Sequence, residues 1–231
     1  MVPSSSATAT RRDLDLPILR LRVTLRLLAD TVLPAAKGAL LRGGFGYVFQ
    51  QAACARPCWG AAHTCSGGGC PYRQILEPVH PPDVPQLHDL PDVPRPFVIQ
   101  PPQDQRTRYP AGVMLECGLA LLGRGIAYLP YFLFGFEHLG RLGLGRQRAP
   151  ARLERVEALR PWQPVGRVIY QDGQVTAREQ DLPILRFAEV AARGDLLPSD
   201  LRLTLHTPLR LKARGGLLRM LDPAALVQAT C

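Results

Sequence analysis

Four cysteines lie close together on a glycine-rich stretch of the chain. They are Cys54, Cys58, Cys65 and Cys70, spaced as C-x3-C-x6-C-x4-C. Four thiolates can close around one tetrahedral zinc ion, and the same ligands can hold an iron–sulfur cluster. The spacing lacks the short C-x2-C pair of many zinc sites, and four free thiols on a loop are the alternative. We therefore predict a structural metal site here, holding zinc or an iron–sulfur cluster.

A glycine-rich, basic segment interrupts what otherwise resembles an apolar helix between Leu33 and Gln50. Its unusual members are Lys37, Arg42, Gly43, Gly44 and Gly46. A glycine inside a helix costs about 1 kcal/mol relative to alanine, so several together indicate that something approaches the helix backbone closely. An RNA phosphate, held by the cations and the helix N-terminus, is one such partner. Tight packing of the helix on a strand is the alternative.

Further basic residues alternate with glycine or leucine downstream. Arg141, Arg146 and Arg148 lie among the glycines of "RLGLGRQRA", a composition that suits a loop gripping phosphate. Arg210 and Lys212 alternate with leucines in a stretch typical of a strand. We predict that all five contact RNA. The alternatives are a solvated turn for the first group and a water-exposed strand face for the second.

The overall charge also favours an anionic partner. The 231-residue chain has 28 basic and 19 acidic residues, a formal net charge of +9. Lys37 and Lys212 are its two lysines, so nearly all the positive charge is guanidinium, which pairs with phosphate and stacks on bases. A GC-rich genome would produce a similar arginine-rich composition.

Composition and hydropathy exclude other classes of protein. A hydrophobic content of 46% with 20% charged residues predicts a packed core rather than a disordered chain. The sequence contains no run of 18 uncharged apolar residues, so we expect no membrane partner. Its first twelve residues lack the apolar core of a secretory signal, which predicts a cytoplasmic protein.

The pattern of apolar residues predicts alternating strands and helices. In chain order these are a strand at Leu19–Ala29, a helix at Leu40–Ala53, a short strand in "RPFVIQPP", a strand at Gly112–Gly123, a helix at Gly125–Leu139 and a strand at Ala151–Leu159. The order strand, helix, strand, strand, helix, strand is that of a ferredoxin-like α+β fold, the architecture of RNA-recognition modules.

The pattern then begins again. Short strands around Val165–Tyr170 and Gln174–Thr176 flank the turn "QDGQ", as in a hairpin. We predict a flexible tail at residues 1–16, a ferredoxin-like domain at 17–161 and the start of a second, incomplete one at 165–231. Few strands and a partial helix cannot bury a core of their own, so we expect this last part to lean on the first domain or on a partner.

Several ordered motifs together resemble one known family. They are "KGALLRGGFGYVF", "CPYRQILEP", "RPFVIQPP", "LLGRGIAYLPYFLFGFEHLGRLGLGR" and "LRLTLHTPLRLKARGGLL". This order is similar to that of the CRISPR-associated endoribonucleases that cut precursor CRISPR RNA within its repeats, the Cas six family of the RAMP superfamily. The resemblance implies tandem ferredoxin-like domains, CRISPR repeat RNA as the partner, and possible contact with other CRISPR effector subunits.

The resemblance also implies a reaction and its residues. Cleavage in the family is metal-independent, so no cofactor is expected for catalysis, and the ribose 2′-hydroxyl attacks the adjacent phosphate to leave a 2′,3′-cyclic phosphate. Many members carry a histidine after the Gly-Phe-Gly of the first helix, where this chain has Tyr47. We assign the catalytic positions to Tyr47 and Lys37. The alternatives are a RAMP-type subunit that holds guide RNA without cutting it, and a truncated, inactive remnant.

Overall fold

The computed structural model describes residues 16–53, 69–78, 93–163 and 165–194, with isolated positions between 196 and 220. The predicted tail at 1–16 lies outside these residues except for Leu16. The strands are β1 (Ile18–Leu27), β2 (Thr31–Val32), β3 (Phe97–Gln100), β4 (Arg108–Tyr109), β5 (Met114–Leu122), β6 (Ala151–Leu159), β7 (Gly166–Gln171), β8 (Gln174–Val175), β9 (Lys212–Ala213) and β10 (Gly216–Leu217). The α-helices are α1 (Gly38–Ala53), α2 (Pro71–Ile75), α3 (Leu129–Leu142) and α4 (Phe187–Gly194).

Strand β1 lies at the centre of the main sheet, and its sequence alternates apolar and polar side chains, so that one side of the strand faces the core. One side carries five almost fully buried residues: Leu19, Leu21, Val23, Leu25 and Leu27. The strand pairs antiparallel with β5 on one side and with β6 on the other. The strand predicted from the same alternation is thereby confirmed.

The main sheet has six strands in the order β3-β5-β1-β6-β7-β8, and each neighbouring pair is antiparallel. Strands β2 and β4 form a separate two-stranded sheet. The chain is therefore a mixed α+β structure built on an antiparallel sheet, as predicted at the level of fold class. Within the described residues, no helix is long and apolar enough to span a membrane.

Helices α1 and α3 pack against each other and share one core with the sheet. The ring of Phe45 stacks on that of Phe132, with centroids 5.3 Å apart and planes 11° from parallel. A Cβ added at Gly135 would lie 2.7 Å from Phe45, so this glycine lets the helices approach. Truncating a buried phenylalanine such as Phe45 would cost about 3–5 kcal/mol of stability.

Helix α3 begins later than the sequence pattern predicts. Residues Gly123–Tyr128 form a 3-10 helix, and the α-helix starts at Leu129. Pro130 therefore lies in the first helical turn, not in the interior as predicted from the sequence. A first-turn proline lacks only an N–H that would have no helical partner, so it does not disturb the helix.

The hairpin after β6 continues the main sheet. Strand β7 pairs with β6, and β8 pairs with β7 through a tight turn in which Asp172 and Gly173 both have positive φ, as a type I′ turn requires. The sequence placed a domain boundary at residues 161–165. The compact units of the structure are Met1–Gly194 and Asp195–Cys231, and the hairpin adds its hydrogen bonds to the main sheet of the first unit. In the second unit, β9 and β10 form an antiparallel pair.

Candidate functional site

One side of helix α1 faces away from the core. We call Arg42, Gly43, Gly46 and Tyr47 the outer face of α1. Arg42, Gly43 and Tyr47 are exposed and Gly46 is half-buried. Leu41, Phe45 and Val48, on the other side of the helix, are buried. Spacings of three and four residues place side chains on the same helix face. The tyrosine of this face is 42% exposed.

The glycines of α1 fall into two kinds. A Cβ at Gly44 would lie 2.7 Å from the Leu139 side chain, so this glycine serves the packing of α1 on α3. A Cβ at Gly43 or Gly46 would have nothing within 4 Å. Close packing therefore explains Gly44, although the element packed against it is helix α3 and not a strand. Among the described residues, no such contact explains Gly43 and Gly46.

Gln50 lies one turn beyond Gly46 on the same face of the helix. Its side chain is buried, with 6% of the residue exposed, and in the described part of the chain its Nε2 group has no hydrogen-bond partner. A buried amide donor without a partner is destabilising by about 1–3 kcal/mol.

Lys37 is the buried centre of a small polar cluster just before α1. Its ammonium group donates to Asp104 Oδ1 at 2.8 Å and to the carbonyl oxygens of Asp104 and Ala35 at 3.1 and 3.3 Å. The Tyr109 hydroxyl donates to the same carboxylate at 2.7 Å. Lys37 is fully buried, whereas the Asp104 side chain is 51% exposed.

The electrostatics of this cluster favour the charged pair. Burial alone would lower the pKa of Lys37, but the hydrogen bonds with Asp104 and Tyr109 raise it above its ordinary value. The hydrogen bond from Lys37 lowers the pKa of Asp104. The sequence predicts a catalytic role for Lys37, and in the structure its ammonium group forms an ion pair with Asp104, whose carboxylate compensates a charge removed from water.

The residues after α3 form a tight basic loop, which we call the arginine loop (residues 143–149). The backbones of Leu144 and Ala149 exchange hydrogen bonds of 2.8 and 3.0 Å across its base. Gly143 and Gly145 have positive φ, and so does Arg148 at 49°, which is uncommon for a residue with a side chain. The glycines are thus required by the turn itself.

The arginines predicted to bind RNA differ in their surroundings. Arg146 and Arg148 are exposed, and neither has an ion-pair partner among the described residues. Arg141, on the last turn of α3, pairs with Glu137. Arg210 lies outside the described residues, and Lys212 is described only as a member of β9. Two unpaired guanidinium groups therefore remain available on the arginine loop.

The charges on the open side of the sheet are largely paired. Arg26 donates to both oxygens of Glu154, at 3.0 and 2.8 Å, and Arg152 donates to the same carboxylate at 2.7 Å. The hydrogen bond from Arg26, followed by that from Arg152, lowers the pKa of Glu154 to about 2. Asp172 lies 3.8 Å from Arg152 as well, so two carboxylates balance these two guanidinium groups, and this surface attracts an anion less than the arginine loop does.

Sequence reasoning missed Asp104 and Tyr109 as members of the Lys37 cluster. Lys37 and Asp104 are 67 positions apart in the chain, so no local sequence pattern predicts their contact. The guanidinium group of Arg106 also lies over the Tyr109 ring, 4.9 Å from its centroid. Two aromatic residues of α3, Tyr131 and Phe134, are exposed, whereas Phe132 and Phe136 of the same helix are buried.

The predicted metal site lies mostly outside the described residues. This holds for Cys54, Cys58 and Cys65, while Cys70 is half-buried at the start of α2, with its Sγ 3.9 Å from the Ala53 carbonyl oxygen. The described ends of the cysteine segment thus lie against each other. In the part of the chain that the structure describes, no three potential metal ligands lie together.

A family model matches most of the chain. No curated protein matches the chain. The family model described as AF_1859_N, N-terminal domain, matches residues 16–182, which is well over half of the chain and contains the whole six-stranded sheet. The chain therefore belongs to the AF_1859_N family, with residues 16–182 as the N-terminal domain.

Proposed function

We propose that this chain binds CRISPR repeat RNA and takes part in the processing of precursor CRISPR RNA. The observation that carries the proposal is the outer face of α1, where a Cβ added at Gly43 or Gly46 would meet no other described part of the chain within 4 Å. Natural helices rarely keep such glycines without cause, since alanine would be more stable at an exposed site. Close approach of a sugar–phosphate backbone explains them, and Arg42 supplies charge beside it.

We also infer that residues 18–159 form a ferredoxin-like domain. The supporting observation is the strand order β3-β5-β1-β6 in a wholly antiparallel sheet. If these four strands are numbered along the chain, their order in the sheet is 2-3-1-4, with α1 after the first strand and α3 after the third. This is the split β-α-β arrangement that many RNA-binding modules use. The RAMP resemblance in the sequence leads to the same fold.

The reaction that we propose needs no covalent enzyme intermediate. A base takes the proton of the ribose 2′-hydroxyl, its oxygen forms a bond to phosphorus, and the bond from phosphorus to the 5′-oxygen breaks. The departing 5′-oxygen takes up a proton, leaving a 5′-hydroxyl and a 2′,3′-cyclic phosphate. Tyr47 lies at the exposed end of the outer face, where its hydroxyl can orient or exchange a proton with the ribose. Arg42 is the nearest cation along the helix for the developing phosphate charge.

A second function, holding guide RNA without cutting it, is favoured by two observations. The expected histidine is replaced by Tyr47, and an ordinary phenol is a weak base at neutral pH. The ammonium group of Lys37 is buried and paired with Asp104, so it cannot reach a phosphate in this arrangement. A weak base at position 47 and a lysine that cannot contact the phosphate would both allow RNA binding without rapid cleavage.

The binding test uses a labelled CRISPR repeat RNA and fluorescence anisotropy at two salt concentrations. We expect affinity to fall steeply with salt, because each phosphate contact releases counterions. Replacing Arg146 and Arg148 by glutamine should reduce the slope of log affinity against log salt by about 2. The matched control replaces Arg160 and Arg178, which are also exposed, and removes the same charge. Equal losses in both double variants would refute a specific role for the arginine loop, and absence of binding would refute the proposed function.

The cleavage test separates the two functions. Tyr47→His should raise the rate of cleavage by about 10²–10⁴-fold if the missing general base limits the wild-type chain. Tyr47→Phe is the matched control, since it removes only the hydroxyl. EDTA should leave cleavage unchanged. Rapid wild-type cleavage that Tyr47→Phe abolishes would show that the tyrosine already performs the proton transfer, and would exclude the non-cutting function.

A further inference from the structure

Helix α3 carries exposed aromatic side chains on the side away from the core. We call Tyr131, Phe134 and His138 the aromatic face of α3. Tyr131 and Phe134 are 39% and 41% exposed, and the rings of Phe134 and His138 have centroids 3.9 Å apart. The three residues follow one another at i, i+3 and i+7, so they form one stripe along the helix.

Tyr131 partly packs on the core, with its ring centroid 6.1 Å from that of Phe49, but the main aromatic packing of α3 comes from other residues. Phe132 and Phe136, which alternate with the aromatic face, are almost fully buried and supply the aromatic packing of the helix on Phe45. Single exposed apolar residues need no explanation, but a contiguous group on one helix face marks a surface that binds something.

The aromatic face and the outer face of α1 lie on the same side of the molecule. The two helices touch where Gly44 meets Leu139 and where Gly135 meets Phe45, and the sheet covers their opposite side. Their exposed residues therefore share the surface distal to the sheet, and Tyr47 adds another exposed aromatic ring to it.

The charge of this surface selects the kind of partner. Arg141 lies one turn beyond His138, about 15 Å along the helix axis from Tyr131, and the arginine loop follows directly. The acidic residue of this stretch, Glu137, is already paired with Arg141. Exposed aromatic rings flanked by guanidinium groups suit unpaired nucleic-acid bases, which stack on rings while the phosphates meet the cations. The bases of a duplex are stacked on one another and offer no such faces.

We propose that the aromatic face of α3 stacks the unpaired bases of a single-stranded RNA segment whose phosphates contact Arg146 and Arg148 on the arginine loop. This assignment rests on the proposed function, since it specifies which part of the RNA this surface holds. The substrate class is therefore RNA that is single-stranded beside the segment approached by α1.

The test compares two RNA probes of equal length: a uridine 12-mer, and a 12-mer with the same backbone and abasic ribose at its central positions. Both retain the phosphates, and only the first offers bases for stacking throughout. Tyr131→Ala with Phe134→Ala should weaken binding of the uridine probe by about 5- to 100-fold, the range for loss of base–aromatic stacking. Binding of the abasic probe should not change. Trp162→Ala removes another exposed aromatic residue and should leave both affinities unchanged.

Each outcome has one meaning. If the wild-type chain binds the repeat RNA of the binding test but neither 12-mer, the stacking inference fails alone; if it binds none of the three, the proposed function fails as well. If it binds both 12-mers and the double variant behaves like wild type, the stacking inference fails alone, and the exposed rings serve another partner. An equal loss for both probes in a variant that unfolds at the wild-type temperature would also overturn the inference, because the rings would then be supporting phosphate contacts rather than bases.

Discussion

Replacing Gly43 and Gly46 together by alanine separates what helix α1 needs for folding from what its outer face does. Both positions lie inside the helix, and a Cβ at either would have nothing within 4 Å. Each substitution should stabilise the fold by about 0.4–1 kcal/mol, because alanine loses less backbone entropy on folding than glycine. The pair should raise the free energy of unfolding by about 1–2 kcal/mol. In a unit of this size, that shifts the unfolding temperature by roughly 2–8 °C.

The assay is urea and thermal unfolding followed by circular dichroism, with repeat-RNA affinity measured on the same preparations. We expect the double variant to be more stable than wild type and to bind RNA more weakly, since two methyl groups would stand between the helix backbone and the phosphates. The matched control is Gly140→Ala in α3, whose Cβ would meet the carbonyl oxygen of Ala151 and should destabilise the protein.

Two results would refute the reasoning in different ways. A destabilised double variant would mean that the outer glycines have an internal role that the geometry does not account for. A stabilised variant with unchanged RNA affinity would mean that nothing approaches this part of the helix closely. The glycines would then have no functional explanation, and the proposal would lose the observation that carries it.

Three further predictions concern the surrounding structure. Asp104→Asn should lower the free energy of unfolding by about 1–2 kcal/mol in urea titrations, because it leaves the buried charge of Lys37 without its counter-charge, while water reaching the half-exposed carboxylate limits the effect. Glu154 has its pKa lowered from 4.5 to about 2, so its contribution to stability is fully present above pH 4.5 and is lost as the pH falls through about 2. Glu154→Gln should therefore flatten the acid branch of the stability curve, and an unchanged branch would show that the ion pairs do not stabilise the fold. Elemental analysis of freshly purified protein should find about one zinc ion per chain, or the iron of a cluster. Cys58→Ser or Cys70→Ser should remove this metal, and metal-free wild-type protein would refute the prediction.

The sheet could be predicted from the sequence where strand periodicity is local. The alternation between Leu19 and Leu27 specifies both a strand and its buried side, and the strand predicted at Ala151–Leu159 has the bounds of β6. The hairpin after β6 was also predicted, but not its pairing with the main sheet through β6. Whether a hairpin extends an existing sheet or starts a new one depends on pairing with β6, which the hairpin's own sequence does not encode.

The site was predicted less completely, because its contacts are distant along the chain. Lys37 looks like an exposed cation in its own segment, and only Asp104 and Tyr109 make it a buried one. Which aromatic residues of α3 are buried depends on where the helix begins. Once the helix is taken to start at Leu129, Phe132 and Phe136 fall on one face, and the exposed rings fall on the other.

The burial of Lys37 has a practical consequence for chemical labelling. The chain has only one other lysine, Lys212, and the side-chain amine of Lys37 is fully enclosed while it is bound to Asp104. An amine-selective reagent can acylate Lys37 only when the segment before α1 opens, since the reagent must reach the nitrogen and the nitrogen must lose its proton. Peptide mass spectrometry can follow the rate at which Lys37 is modified. That rate would therefore report how often the segment next to the proposed RNA-binding helix opens locally.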